Sequence, residues 1–241
     1  MKRRIGILTS GGDCPGLNAA IRGVARAAYE MFDAEIIGIS DGYRGLIEGE
    51  WQEMKRSQFS GILTLGGTIL GTARTPFRNM RVIGEDNVDK VKAMKDNYEK
   101  MKLDCLVTLG GNGTHKTANL LREQGLNVVT LPKTIDNDLC LMDHTPGYGS
   151  AAKFVATCMW EMIRDCTVYD LDSVLIVEIM GRDTGWLTAS AALPRLNGCN
   201  APHLVYLPEV PFSADRFIED VREQQKHNRT VIVAVSEGVE L

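Results

Sequence analysis

The chain has 241 residues, 44% of them apolar and 24% charged, an ordinary globular composition with apolar material for one or two domains. Its 27 basic and 31 acidic side chains leave a formal charge of −4, so no general polyanion-binding surface is expected and nucleic acid is excluded as a partner. No apolar run approaches the ~20 residues of a membrane span, and the basic start Met1–Arg4 runs only into a short strand-like segment, which is not a signal-peptide pattern.

Short β-branched runs then alternate with helical patterns along the chain. The reading is strand 4–9, helix 17–31, strand 34–39, helix 87–101, strand 103–109, helix 114–124, strand 127–131 and helix 149–165. Strand 174–179, helix 185–195, strand 203–207, helix 213–227 and strand 230–235 follow. Such alternation predicts parallel sheets with helices on both faces. The near-continuous run Val174-Leu175-Ile176-Val177 predicts a strand buried on both sides. The alternation pauses over 139–147, so the expected division is 1–140 and 141–241. The last strand lies almost at the terminus, which leads to the expectation of a fragment with an incomplete second domain.

The six cysteines are dispersed without a CxxC pair, as expected for reduced thiols in a cytoplasmic protein. Five read as small buried apolar residues; Cys14 differs because it sits in a glycine loop. The four histidines lack close metal-ligand spacing, and no zinc site is expected.

Ligands of open α/β sheets bind at the carboxyl ends of the strands, and three such ends carry chemistry here. Ser10-Gly11-Gly12-Asp13-Cys14-Pro15-Gly16 leads into a helix, where glycine lets backbone approach a phosphate and the helix start supplies N–H donors. It is neither a GK[ST] phosphate loop nor GxGxxG, and as an isolated pattern a tight turn explains it equally well. Gly110-Gly111-Asn112-Gly113-Thr114 repeats the theme, with Asn112 offering a neutral oxygen and Thr114 a helix cap that can also donate to phosphate. In Pro132-Lys133-Thr134-Ile135-Asp136-Asn137-Asp138 two carboxylates flank an amide, so one can take a hydroxyl proton while the other holds a divalent cation. Alone, that triplet reads as an Asx-rich turn. Gly66–Arg74 and Glu178–Arg182 each end on an arginine whose planar fork suits phosphate. Together these segments point to a site for two phosphorylated ligands and a metal.

In order and approximate spacing, Gly11–Gly23, Gly66–Arg74, Gly110–Thr114, Pro132–Asp138, Glu178–Arg182 and Ser236–Gly238 resemble the phosphofructokinases. The resemblance spans essentially the whole chain. It implies two Rossmann-like parallel-sheet domains with the active site in the cleft between them, and phosphoryl transfer to the 1-hydroxyl of fructose 6-phosphate, giving fructose 1,6-bisphosphate. It implies Asp136 as the base, and Thr134, Ile135, Asp136, Met180, Gly181, Arg182 and Glu237 around the sugar phosphate. Arg182 would also steady the transferring group. Gly11, Arg74, Thr75, Gly111, Asn112, Gly113, Thr114 and Lys133 would hold the donor, and Asp138 with Asn112 the Mg²⁺. A cytoplasmic, allosteric homo-oligomer, dimer or tetramer, is implied as well.

Three departures stand out. Asn112 occupies the family's usual metal-binding aspartate position, and an amide binds Mg²⁺ more weakly than a carboxylate. The stretch Tyr169–Ser173 lacks the arginine that many bacterial members use to reach a neighbouring subunit's sugar phosphate, and later basic residues lie beyond this chain. Two positions bear on the donor: Gly113 leaves room for ATP where pyrophosphate users carry aspartate, whereas Lys133 is the pyrophosphate-type residue. An aspartate excludes ATP, while a lysine only adds a cation, so ATP is the expected donor and pyrophosphate the alternative. A non-catalytic paralogue is a further alternative, and a nicotinamide-dependent dehydrogenase is disfavoured by the missing GxGxxG.

Overall fold

The computed structural model describes residues 2–83 and 88–240 and divides into two compact units, Met1–Thr134 and Ile135–Leu241. The division falls inside the Pro132–Asp138 segment, a few residues ahead of the expected one.

In the first unit β1 (Arg4–Ser10), β2 (Glu35–Ile39), β3 (Trp51–Met54), β4 (Cys105–Gly110) and β5 (Val128–Pro132) form a sheet in the order β3-β2-β1-β4-β5. Helices α1 (Leu17–Phe32), α2 (Tyr43–Glu48), α3 (Lys90–Lys100) and α4 (Asn112–Glu123) connect the strands. The expected start of α3 at Asn87 lies outside the described residues. α1 turns Leu17, Ile21, Ala25 and Ala28 inward at helical spacing. It ends on Asp33, whose left-handed backbone (φ 43°) returns an N–H to Ala28 O. Leu8, Ile37, Tyr43, Met94, Leu106 and Leu121 meet in the core.

The expected parallel sheets are present in both units, and the first adds a strand the sequence reading did not have: β3 runs antiparallel to β2 at its edge. Its four residues Trp51-Gln52-Glu53-Met54 form no apolar run, and pairing with β2 rather than local propensity makes them a strand. The single-turn-scale α2 likewise has too few residues for a readable periodicity.

The second unit holds a parallel sheet of β6 (Ser173–Ile179), β7 (Leu204–Tyr206) and β8 (Thr230–Ser236) in the order β6-β8-β7, with α5 (Tyr148–Cys166), α6 (Trp186–Ser190) and α7 (Ala214–Gln225). Successive β8 side chains serve opposite faces. Ile232 and Ala234 pack with Met159, Ile163 and Leu187, and Val231 and Val233 with Val221 and Phe217. Burial of β6 on both sides is not observed: it is an edge strand, with Val174 41% and Ile176 53% exposed. The helix expected over 185–195 stops at Ser190, and a 3₁₀ turn, Leu193–Asn197, follows with Pro194 near its start.

Register sets where the loops emerge. Ser10 pairs with Gly110, and Gly110 with Pro132, so three strand ends stand side by side. Chain order reverses between β1 and β4, the switch point at which open sheets bind ligands. In the second unit Ile179 pairs with Ser236, which aligns the ends of β6 and β8.

Candidate functional site

In the first unit, the strand ends deliver two glycine loops onto two helix starts. No side-chain hydrogen bond caps α1 or α4 among the described residues, and first-turn N–H groups without such a cap are the kind that can donate to an anion. α4 begins at Asn112, two residues earlier than expected. Thr114 is therefore not its cap; its buried hydroxyl donates to Ser10 O at 3.3 Å. That contact requires Gly110, where a Cβ would meet Ser10 O at 2.6 Å. Asn112 and Gly113 are exposed, and a Cβ on Gly113 would meet nothing within 4 Å.

The segment 65–74 is strapped to the β1–α1 junction by polar contacts. Asn18 Nδ2 donates to Leu65 O (2.9 Å) and Gly67 O (2.6 Å), and its Oδ1 accepts from Ile69 N (2.9 Å). Thr68 N donates to Asp13 Oδ1 (3.0 Å), and Thr9 Oγ1 to Gly71 O (2.6 Å). Thr72 Oγ1 donates to Gly11 O (2.6 Å), and Gly11 N to Ala73 O (3.2 Å). At the end of this seam the exposed Arg74 places Nη2 3.6 Å from where a Cβ on Gly12 would project; Thr75 beside it is half-buried.

Lys133 enters the same loop from β5. It is buried (7% exposed), its backbone N–H donates to Gly110 O at 3.0 Å, and its Nζ donates to Gly12 O. Burial pushes the Cys14 thiol up to about 11, against the opposing charge of Lys133 and with a small addition from Asp13.

In the second unit, the carboxylates of Asp136-Asn137-Asp138 separate. Asn137 adopts a left-handed backbone (φ 58°) and is the Asx latch of the turn: its Oδ1 accepts from Thr145 N (2.8 Å) and its Nδ2 donates to Asp143 O (3.1 Å). Asp136 is buried (7% exposed), its carbonyl accepts from Thr184 Oγ1 at 2.9 Å, and its Oδ2 lies 3.6 Å from Arg182 Nε. Asp138 is exposed, while Ile135 packs into the core beneath. Thr134, the last residue of the first unit, is also buried.

Arg182 is held in an uncommon conformation, left-handed at φ 53°, with its side chain largely exposed. Such a backbone costs of order 1–3 kcal/mol and persists only when its surroundings fix it. The fixing group is Glu237, whose Oε1 accepts from Arg182 N (2.8 Å) and Gly181 N (2.9 Å). Those two N–H groups, then the Arg182 charge, hold the Glu237 carboxyl below its ordinary range, against a smaller opposing effect of burial. Gly181 (φ 148°) is required because a Cβ would meet Thr184 O at 2.5 Å. Met180 projects outward, 55% exposed.

The structure thus brings Gly11, Arg74, Lys133 and Gly111–Thr114 together in one unit, and Asp136, Gly181, Arg182 and Glu237 in the other. The sequence reading missed Asn18 and Thr184. For Asn18 a signal existed: an amide on the apolar face that also carries Leu17 and Ile21. No group of three or more His, Cys, Asp or Glu side chains able to hold a metal occurs among the described residues.

Residues 4–241 match the family model described as "Phosphofructokinase". An ATP-dependent 6-phosphofructokinase of Spirochaeta thermophila is 47% identical, over 98% of this chain and 64% of its own. That of Propionibacterium freudenreichii is 43% identical, over 99% and 62%. The chain therefore spans somewhat under two thirds of the length of these relatives. Among solved structures, the Pichia pastoris phosphofructokinase in the T-state superposes with a TM-score of 0.81 at 31% identity, over all of this chain and 26% of that one. A pyrophosphate-dependent phosphofructokinase from Marinobacter aquaeolei shares the fold at TM-score 0.81 and 24% identity, over 99% and 61%.

Proposed function

The chain belongs to the phosphofructokinase family, and we propose that the protein transfers a phosphoryl group from ATP to the 1-hydroxyl of fructose 6-phosphate. The observation that carries this reading is the buried Asp136 carboxylate beside an exposed arginine whose strained backbone Glu237 fixes.

In this reading Asp136 accepts the proton of the sugar hydroxyl as that oxygen attacks the donor's terminal phosphorus and the bond from that phosphorus to the bridging oxygen breaks, ADP leaving with the electron pair. Burial keeps the carboxylate poorly hydrated, which makes it a more effective base than a solvated one. Arg182, loosely paired at 3.6 Å, is free to turn its guanidinium onto the moving phosphoryl group. The clamp of Glu237 on Gly181 and Arg182 sets where that guanidinium starts. Thr134, Ile135, Met180 and Gly181 complete the sugar-phosphate side. On the donor side, the N–H groups of Gly11 and Gly111–Thr114 and the Arg74 fork receive phosphate oxygens, with Thr75 adjoining.

The open space at Gly113 favours a donor with more than two phosphates, and the names of the Spirochaeta and Propionibacterium relatives agree with ATP. Lys133 is the observation for pyrophosphate, yet its Nζ is directed to Gly12 O, which weakens that alternative. Asp138 of the second unit and Asn112 of the first are each exposed and each present a hard oxygen of the kind Mg²⁺ takes, and Mg²⁺ is commonly held by one or two carboxylates with substrate phosphates supplying the rest. When bound, it would neutralise charge on the donor phosphates. Resemblance supports a cytoplasmic homo-oligomer; no helix among the described residues is long and apolar enough to cross a membrane.

The test is an assay of the full-length protein with fructose 6-phosphate and Mg²⁺, offering ATP and pyrophosphate separately. Turnover with ATP is expected. Turnover with pyrophosphate alone would transfer the donor role, and binding of both substrates with no turnover would favour the non-catalytic reading.

A further inference from the structure

We propose that Asn18 is a positioning residue for the donor side: its amide fixes the path of residues 65–69 and thereby the reach of Arg74. The proposal rests on the reading of Arg74 as a donor-phosphate ligand.

Asn18 is 3% exposed and uses both ends of its amide on the same segment, donating to Leu65 O and Gly67 O and accepting from Ile69 N. That segment contains Gly66, Gly67 and Gly71, a composition with wide backbone freedom in the absence of restraint. From Ile69 onward the seam continues without a gap: Asp41 N donates to Leu70 O, Thr9 Oγ1 to Gly71 O, Thr72 Oγ1 to Gly11 O, and Gly11 N to Ala73 O. Arg74 is the next residue and lies against Gly12. Its guanidinium is therefore placed by backbone held from α1 and β1 rather than by burial of its own side chain, which is exposed.

Leu65 and Gly67 are exposed, so water can take the place of Asn18 at their carbonyls when the amide is removed. What is lost is the restraint. An arginine on a wandering loop must be ordered each time a donor binds, which weakens donor binding and leaves the sugar phosphate's own contacts untouched.

The experiment compares Asn18→Ala, Arg74→Ala and the double variant in the full-length protein, with KM measured separately for donor and fructose 6-phosphate. Asn18→Ala is expected to raise the donor KM about tenfold, leave the fructose 6-phosphate KM unchanged, and add nothing further in the Arg74→Ala background. Thr72→Val, which removes only the hydroxyl contact to Gly11 O, gives the same pattern more weakly and decides the matter should Asn18→Ala not fold. A donor KM unchanged by both substitutions while Arg74→Ala raises it would overturn the proposal alone. An equal rise in the Arg74→Ala background would do the same. An unchanged donor KM in Arg74→Ala would overturn the donor-ligand reading of Arg74 and the proposal with it.

Discussion

Replacing Gly113 by aspartate isolates the choice of donor. Gly113 lies in the first turn of α4, and a Cβ there would meet nothing within 4 Å, so the side chain enters without collision. Glycine is among the weakest helix formers, and an acidic group near a helix start gains about 0.3–1 kcal/mol from the dipole. The variant should therefore be at least as stable as the parent. On the proposed reading, its carboxylate would occupy the space through which a nucleoside triphosphate extends past its terminal phosphates. Two charges about 4 Å apart at an effective dielectric near 20 repel by about 4 kcal/mol, roughly a thousandfold in kcat/KM. Steady-state assays with ATP and with pyrophosphate, alongside thermal melts, decide it. The expected result is an ATP kcat/KM lowered by about 10³, an unchanged or raised Tm, and no loss of any pyrophosphate activity. Retained ATP turnover in a folded Gly113→Asp protein would refute the donor argument.

Glu237→Gln removes the charge that accepts from Arg182 N and Gly181 N; a stability loss of about 1 kcal/mol is expected after solvent screening, together with a raised fructose 6-phosphate KM. Because the Glu237 carboxyl titrates below its ordinary range, its contribution is fully present above the unfolded carboxylate pKa and lost as pH falls through the depressed one. An acid titration of stability that is identical in the Gln variant and the parent would contradict this. Cys14, buried and with its thiol raised to about 11, should resist iodoacetamide at neutral pH while exposed Cys140 reacts. Peptide mapping that finds Cys14 alkylated first would contradict the structure.

Much of the fold was legible because its cause is local. The apolar strand runs of β1, β4 and β8, and the α1 spacing of Leu17, Ile21, Ala25 and Ala28, write their burial directly into the sequence. β3 was not, since Trp51–Met54 becomes a strand only through pairing with β2. β6 misled for the opposite reason: its apolar run resembles a central strand, yet neighbours decide burial, and β6 lies at an edge. At the site, the motifs marked the residues but not the division of labour among them. Asp136, Asn137 and Asp138 look alike as a triplet; only geometry separates a buried carboxylate, a turn latch and an exposed carboxylate. The left-handed Arg182 was likewise unreadable, because the Glu237 clamp joins positions more than fifty residues apart.

The central claim is that Asp136 acts as a base and does not merely hold the turn. Its backbone carbonyl accepts from Thr184 whatever the side chain, and its partner Arg182 is exposed, so Asp136→Asn, which keeps the shape of the side chain, is expected to preserve the local backbone. Calorimetric affinities for fructose 6-phosphate and donor should match the parent, while kcat falls by at least about 10²-fold. A kcat within a few-fold of the parent, or a loss of substrate binding that accounts for the whole defect, would contradict it.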